Sequence, residues 1–183
     1  MELVKNFTQS KLVKNLFIAL IGSILLAISS KIKIPFYPVP MTMQTLVVLI
    51  IGIGFGWKLG IATIMLYLFE GIIGLPVFSG TPEKGIGLAY FTGPTMGYLI
   101  GFLITVFLAG KFNFDNNLIK NFFKLTFATS FIYILGMLWL GGLIGWDKPI
   151  FKLGAQPFLL AELFKILLAT FAINQIKKIK KIF

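Results

Sequence analysis

Apolar residues run through this chain in long blocks, broken by short polar or Gly/Pro-rich stretches. A transmembrane helix needs about 20 consecutive, mostly apolar residues. The pattern predicts six such spans. The first covers residues 12–30, with Lys14 near its start. The second, 41–57, is uncharged, and Lys58 alone divides it from the third, 59–75, which carries Glu70. The fourth, 88–110, and the fifth, 125–146, carry no charge, whereas the sixth, 153–175, contains Glu162 and Lys165. The expectation is an all-α integral membrane protein. A single transmembrane domain over 1–183 holds six helices under irregular outer loops.

The second and third spans are slightly short. Gly52, Gly54, Gly56 and Gly60 surround Trp57 and Lys58 between them. Glycine permits a tight reversal, which suits a helical hairpin. A re-entrant pair is the alternative. Two breaks stand apart. Residues 33–40 read KIPFYPVP, and residues 76–87 read PVFSGTPEKGIG. Proline at that density denies a helix, and an irregular loop over a helical scaffold often serves as a lid.

With six spans, both termini share one side of the membrane. That side collects Lys5, Lys11 and Lys14, then Lys58, then Lys111, Lys120 and Lys124, then Lys177, Lys178, Lys180 and Lys181. The opposite side holds Lys31, Lys33, Lys84, Lys148 and Lys152. The positive-inside rule predicts cytoplasmic termini in a multi-pass protein of the cell (inner) membrane. The polar segment 1–14 precedes an apolar run with no good cleavage site, so that run reads as a retained span rather than a signal peptide.

Composition agrees with the pattern. Hydrophobic residues make up 57% of the chain and charged residues 13%, and the mean hydropathy is +0.93. A soluble domain of 183 residues needs more polar surface than this. The net charge of +11 does not point to nucleic acid, because the lysines lie between spans and build no folded basic face. The absence of cysteine and histidine removes disulfides, thiol chemistry, the commonest metal ligand and the commonest general base. No phosphate-binding GxxxxGK[ST] loop or HExxH pair is present, and no catalytic residue, metal site or cofactor is expected.

Chemistry therefore rests on the few polar groups inside spans. An ionisable residue there is costly and faces a cavity or a partner. Glu162 and Lys165 are three apart and share a helical face. Two readings stand: the pair satisfies itself, or both residues point into a site near the outer face. In the second case the carboxylate accepts N–H donors and the ammonium binds an acid. Pro157 suits the first helical turn, so both residues sit only one to two turns deep. Gly93, Gly97 and Gly101 recur every four residues, a pattern for close helix packing; Gly93-Pro94 is also a candidate broken helix exposing backbone groups to a ligand. Ala19, Ser23 and Ala27 form a small-residue stripe on the first span, suited to packing against a helix of this chain or of a partner. Glu70, on the same face as Tyr67, is either a further site residue or the mate of a distant lysine.

Four blocks in order resemble BioY proteins: residues 34–45 (IPFYPVPMTMQT, including Gln44); Leu66-Tyr67-Leu68 with Gly74-Leu75-Pro76-Val77-Phe78; Gly93-Pro94-Thr95 with Gly97-Tyr98-Leu99 and Gly101-Phe102; and Pro157-Phe158-Leu159 through Glu162 to Lys165. The resemblance implies a biotin-specific S component of an energy-coupling factor transporter. Its implied partners are biotin, a transmembrane coupling protein and a pair of ATPases, and it is not an enzyme. Lys165 then matches a lysine for the biotin carboxylate. Glu162 stands where the family has an aspartate for the ureido N–H groups, one methylene longer. Ala19, Ser23 and Ala27 match the surface that docks the coupling protein. Gly93, Gln44, Tyr67 and Glu70 complete the expected binding set. The alternative function is a self-sufficient secondary transporter or facilitator for biotin or a related small organic acid.

Overall fold

The computed structural model describes residues 11–34 and 37–180. The polar segment 1–10, with Lys5, and Pro35 and Phe36 of the proline-rich block lie outside the described residues. Helix α1 (Lys11–Lys31) is followed by two-residue strands, β1 (Lys33–Ile34) and β2 (Met41–Thr42). They pair antiparallel, Lys33 opposite Thr42, and close the proline-rich segment into a small hairpin. The expected second span thus starts as strand, and helix α2 (Gln44–Ile72) begins after it.

Helix α2 is folded back on itself. Gly56 has φ 77° and ψ 170°, a conformation that side chains with a Cβ avoid. A straight helix would hold residues 44 and 67 about 34 Å apart, yet Gln44 Nε2 donates to the Tyr67 hydroxyl at 2.8 Å. The two arms therefore run antiparallel, and the glycine cluster forms the predicted hairpin.

The expected fourth span is broken. Short helix α3 (Leu88–Phe91) ends before Gly93-Pro94, and α4 (Met96–Lys111) starts beyond them. Proline removes an N–H and crowds the preceding turn. Helix α5 (Leu118–Ile144) begins seven residues earlier than the apolar run, because the Asn117 side chain caps it by accepting from the Lys120 N–H. Helix α6 (Ile150–Gly154) and a 3-10 turn (Gln156–Phe158) lead into α7 (Leu159–Lys180).

Among the described residues, four helical stretches are long and apolar enough to cross a membrane: Lys11–Lys31, Gln44–Ile72, Leu118–Ile144 and Ile150–Lys178. Met96–Lys111 is apolar but shorter. The outer faces of the helices are largely apolar. On α1, Phe17, Ile21, Ile24 and Ile28 are exposed, and on α7, Leu160, Phe164, Leu168 and Phe171. Such continuous apolar surface is not tolerated in water and is at home in lipid.

Glycine sets the inner spacing. A Cβ on Gly101 would lie 2.5 Å from the Ile132 Cα, and one on Gly97 would lie 2.4 Å from the Leu135 carbonyl oxygen. These two glycines seat α4 on α5. On α1 the small stripe lies on the side turned to α2. Ala19 and Ser23 are buried and Ala27 half-buried, while Ser23 Oγ donates to Glu70 Oε1 at 2.8 Å. Only small side chains let α1 approach this closely, and the outward face of α1 is bulky.

Candidate ligand-binding site

Thr42, Gln44, Thr45, Tyr133, Glu162 and Lys165 converge at one end, where α2 and α7 begin. Glu162 and Lys165 occupy the first two turns of α7, and both are buried. Lys165 Nζ lies 3.1 Å from Glu162 Oε2 and donates to the Thr42 carbonyl and the Thr45 hydroxyl, each at 2.9 Å. These three bonds use all three N–H groups of the ammonium. Glu162 Oε2 also accepts from the hydroxyls of Thr45, at 3.0 Å, and Tyr133, at 2.9 Å. Its other oxygen, Oε1, is buried and accepts no hydrogen bond. A buried acceptor left without a donor is costly, so this atom is poised for one.

A cavity with about 60 Å³ of free space adjoins this cluster. Lys165, Thr42, Thr45, Gln44 and Tyr133 give its polar wall, and Phe78, Tyr90, Tyr98, Phe102 and Phe158 an aromatic one. The strands place Thr42, and the start of α2 places Gln44 and Thr45 on the same wall. Tyr98, on the first turn of α4, is held by its bond to the Gly154 carbonyl at 2.8 Å.

The loop after α2 roofs the cavity and is pinned through its backbone. The Val77 carbonyl accepts from Ser30 Oγ at 2.7 Å and the Tyr67 hydroxyl at 3.0 Å. Lys31 Nζ donates to the Phe78 carbonyl at 2.9 Å, and the Tyr90 hydroxyl to the Ser79 carbonyl at 2.9 Å. The Phe78 ring stacks on Tyr90 and meets Tyr67 edge-on. It lies against Gly71, where any Cβ would strike it. Ser79 Oγ, on the cavity wall, is buried with no hydrogen-bond partner.

The predicted site residues separate into groups. Lys165 and Gln44 line the cavity. Glu162 stands behind Lys165, Thr45 and Tyr133. Tyr67 backs Gln44 and holds the roof. Gly93 lies off the cavity, its carbonyl accepting from Trp139 Nε1 at 2.9 Å, while its neighbour Thr95 lines the wall. Glu70 is bonded to Ser23 between α1 and α2. Sequence reasoning passed over Tyr133, Ser79 and the aromatic wall. For Tyr133 a signal existed: a phenol inside an apolar span needs a polar mate. Among the described residues no group of three potential ligands for a metal ion occurs.

Comparison with known proteins places this architecture. The sequence model of the BioY family matches residues 3–181. A probable biotin transporter BioY of Pyrococcus horikoshii is 34% identical, over 77% of this chain and 82% of its own. The biotin transporter BioY of Thermotoga maritima is 30% identical, over 85% and 91%. A crystal structure of the S-component for biotin from an ECF-type ABC transporter superposes with a TM-score of 0.76 at 26% identity, covering 93% of this chain and 94% of that one. The apolar exterior and the buried polar cavity are thus those of a multi-pass helical membrane protein. This chain belongs to the BioY family.

Proposed function

We propose that this chain binds biotin and serves as the substrate-specific subunit of an ATP-driven vitamin transporter. It would act with a transmembrane coupling protein and a pair of ATPases, carrying no catalytic chemistry of its own. The observation that carries this reading is Glu162 Oε1, a buried acceptor without a donor, directly behind Lys165, Thr45 and Tyr133 on the wall of an aromatic cavity. The ureido group of biotin offers two N–H donors and one carbonyl. The carboxylate of Glu162 accepts the former, and the ammonium of Lys165 donates to the latter by giving up its bond to the Thr42 carbonyl or the Thr45 hydroxyl. The fused rings and alkyl chain of biotin suit the walls of Phe78, Tyr90, Tyr98, Phe102 and Phe158.

This division differs from one in which Lys165 takes the biotin carboxylate. The ammonium is already neutralised by Glu162, and a second carboxylate beside it would repel the first. Both residues are therefore assigned to the ureido end. The carboxylate is assigned to Ser79, a further lining residue, whose hydroxyl lacks a partner. The cavity must also grow. Its free space equals roughly two waters, whereas small-molecule pockets run to about 300 Å³ or more. Binding thus involves displacement of the roof around Val77, Phe78 and Ser79.

Six crossings complete the reading: α1, the two arms of α2, α4, α5 and α7. The end bearing Lys58, Lys111, Lys120, Lys124, Lys177 and Lys178 is the more basic, which supports cytoplasmic termini and a cavity facing outward across the cell membrane. Equilibrium binding of labelled biotin to the purified protein in detergent tests the proposal. Saturable binding at one biotin per chain is the expected result, and its absence in folded protein overturns it.

A further inference from the structure

At the end of the molecule away from the cavity, an open groove of about 450 Å³ lies where α4 gives way to α5. Phe112, Ile119, Phe123 and Phe127 line it, together with Lys120 and Lys124. The aromatic members are presented outward: Phe123 is 63% exposed and Phe127 55%. Ile119, Phe123 and Phe127 recur every four residues and so form one strip of α5. Exposed Ile134 and Leu138 continue it along the face turned to lipid.

The two lysines stand at the mouth of this strip. They are one turn apart on the same face, so they repel each other. They also lie in the opening turns of α5, whose first turn holds no acidic residue, and the positive end of a helix adds to that repulsion. Lys124 Nζ spends one donor on the Asn113 carbonyl. Lys111, at the end of α4, sits over the Phe107 ring. Lys177 donates to the Phe114 carbonyl. Asp115, the acid on the intervening loop, accepts from the Asn117 N–H at 2.8 Å. The groove is thus apolar along its length and cationic where it reaches the membrane surface.

We propose that this groove binds an anionic phospholipid, its phosphate between Lys120 and Lys124 and an acyl chain along Phe123 and Phe127. A phosphate removes the repulsion between the lysines and that with the helix end, and the exposed phenylalanines supply the chain contact. Continuity with the lipid-facing strip of α5 favours a lipid over a protein partner.

Native mass spectrometry of the full-length protein tests this, after exposure to equal amounts of dioleoylphosphatidylglycerol and dioleoylphosphatidylcholine. The expected result is preferential retention of phosphatidylglycerol, with each lysine contributing about fivefold. Lys120→Gln with Lys124→Gln should bring the two lipids near parity. Lys120→Arg with Lys124→Arg should keep the preference, and Lys148→Gln with Lys152→Gln, at the opposite end, should leave it unchanged. Equal retention of both lipids by the wild type overturns the proposal. So does a preference that survives the double glutamine variant. If that variant keeps its lipid preference but no longer co-purifies with a coupling protein, the groove is a protein interface and the lipid site is refuted.

Discussion

Lys165 Nζ and Glu162 Oε2 lie 3.1 Å apart on one turn of α7, and the second carboxylate oxygen faces no donor. The pair is therefore internally neutral yet incompletely satisfied. On the proposed function, structure and recognition are joined in the same two side chains, and variants can separate them.

Removing one member of a buried ion pair costs about 3–5 kcal/mol, because the other charge is stranded. Glu162→Gln and Lys165→Met should each lower the melting temperature and abolish tight biotin binding. The double variant Glu162→Gln with Lys165→Met should recover most of the stability and none of the binding. A double variant that binds biotin like the wild type would remove the pair from the site. Lys165→Met should also weaken biotin and an uncharged biotin amide alike. Selective loss of the acid would place the carboxylate on Lys165.

Ser79 should show the opposite signature. Its buried hydroxyl has no partner in the free protein, so Ser79→Ala should leave stability unchanged or slightly raised. Affinity should fall by roughly tenfold for a lost hydrogen bond to a charged ligand group. Calorimetric titration alongside thermal melting reads both effects. Unchanged affinity would detach the roof from recognition.

Tyr133→Phe removes one of the hydroxyls that donate to Glu162 Oε2 while keeping the ring. The chain should lose about 1.5–3 kcal/mol of stability, the worth of a hydrogen bond to a charged group, and biotin binding should weaken as far as Tyr133 fixes the carboxylate for the ligand. Thermal melting and radioligand binding in detergent measure the two effects. Binding equal to the wild type would show that Thr45 and Lys165 position the carboxylate without Tyr133.

The small residues should behave as packing elements. Ala19→Leu, at a position 4% exposed, should destabilise the isolated chain by about 1–3 kcal/mol through overpacking. Gly101→Ala should do likewise, because its Cβ meets the Ile132 backbone. Ile24→Ala, on the exposed face of α1, should change stability little. Thermal melts of the purified variants decide the matter. If Ala19→Leu melts like the wild type but stops uptake, the stripe docks a partner after all.

Much of this protein was legible in its sequence, because the relevant properties are local. The apolar length of a block is a property of consecutive residues, and so is the punctuation by Gly56 and the proline-rich segment. The lysine distribution and the i, i+3 spacing of Glu162 and Lys165 are equally local, and the ordered motifs pointed to the BioY family. What tertiary packing decided was direction. Burial in lipid gives no polar–apolar contrast around a helix, so nothing in the composition of α1 said that Ala19 and Ser23 turn inward and Phe17 and Ile24 outward. The spacing of Gly97 and Gly101 pointed to close helix packing, but not to α5 as the helix they meet. The start of α5 moved because Asn117, outside the apolar run, supplies the cap. Tyr133 reaches Glu162 across 29 positions and Thr45 across 117. Those meetings exist only after three helices pack together, because a hydrogen bond is made in space while sequence records only its separate ends.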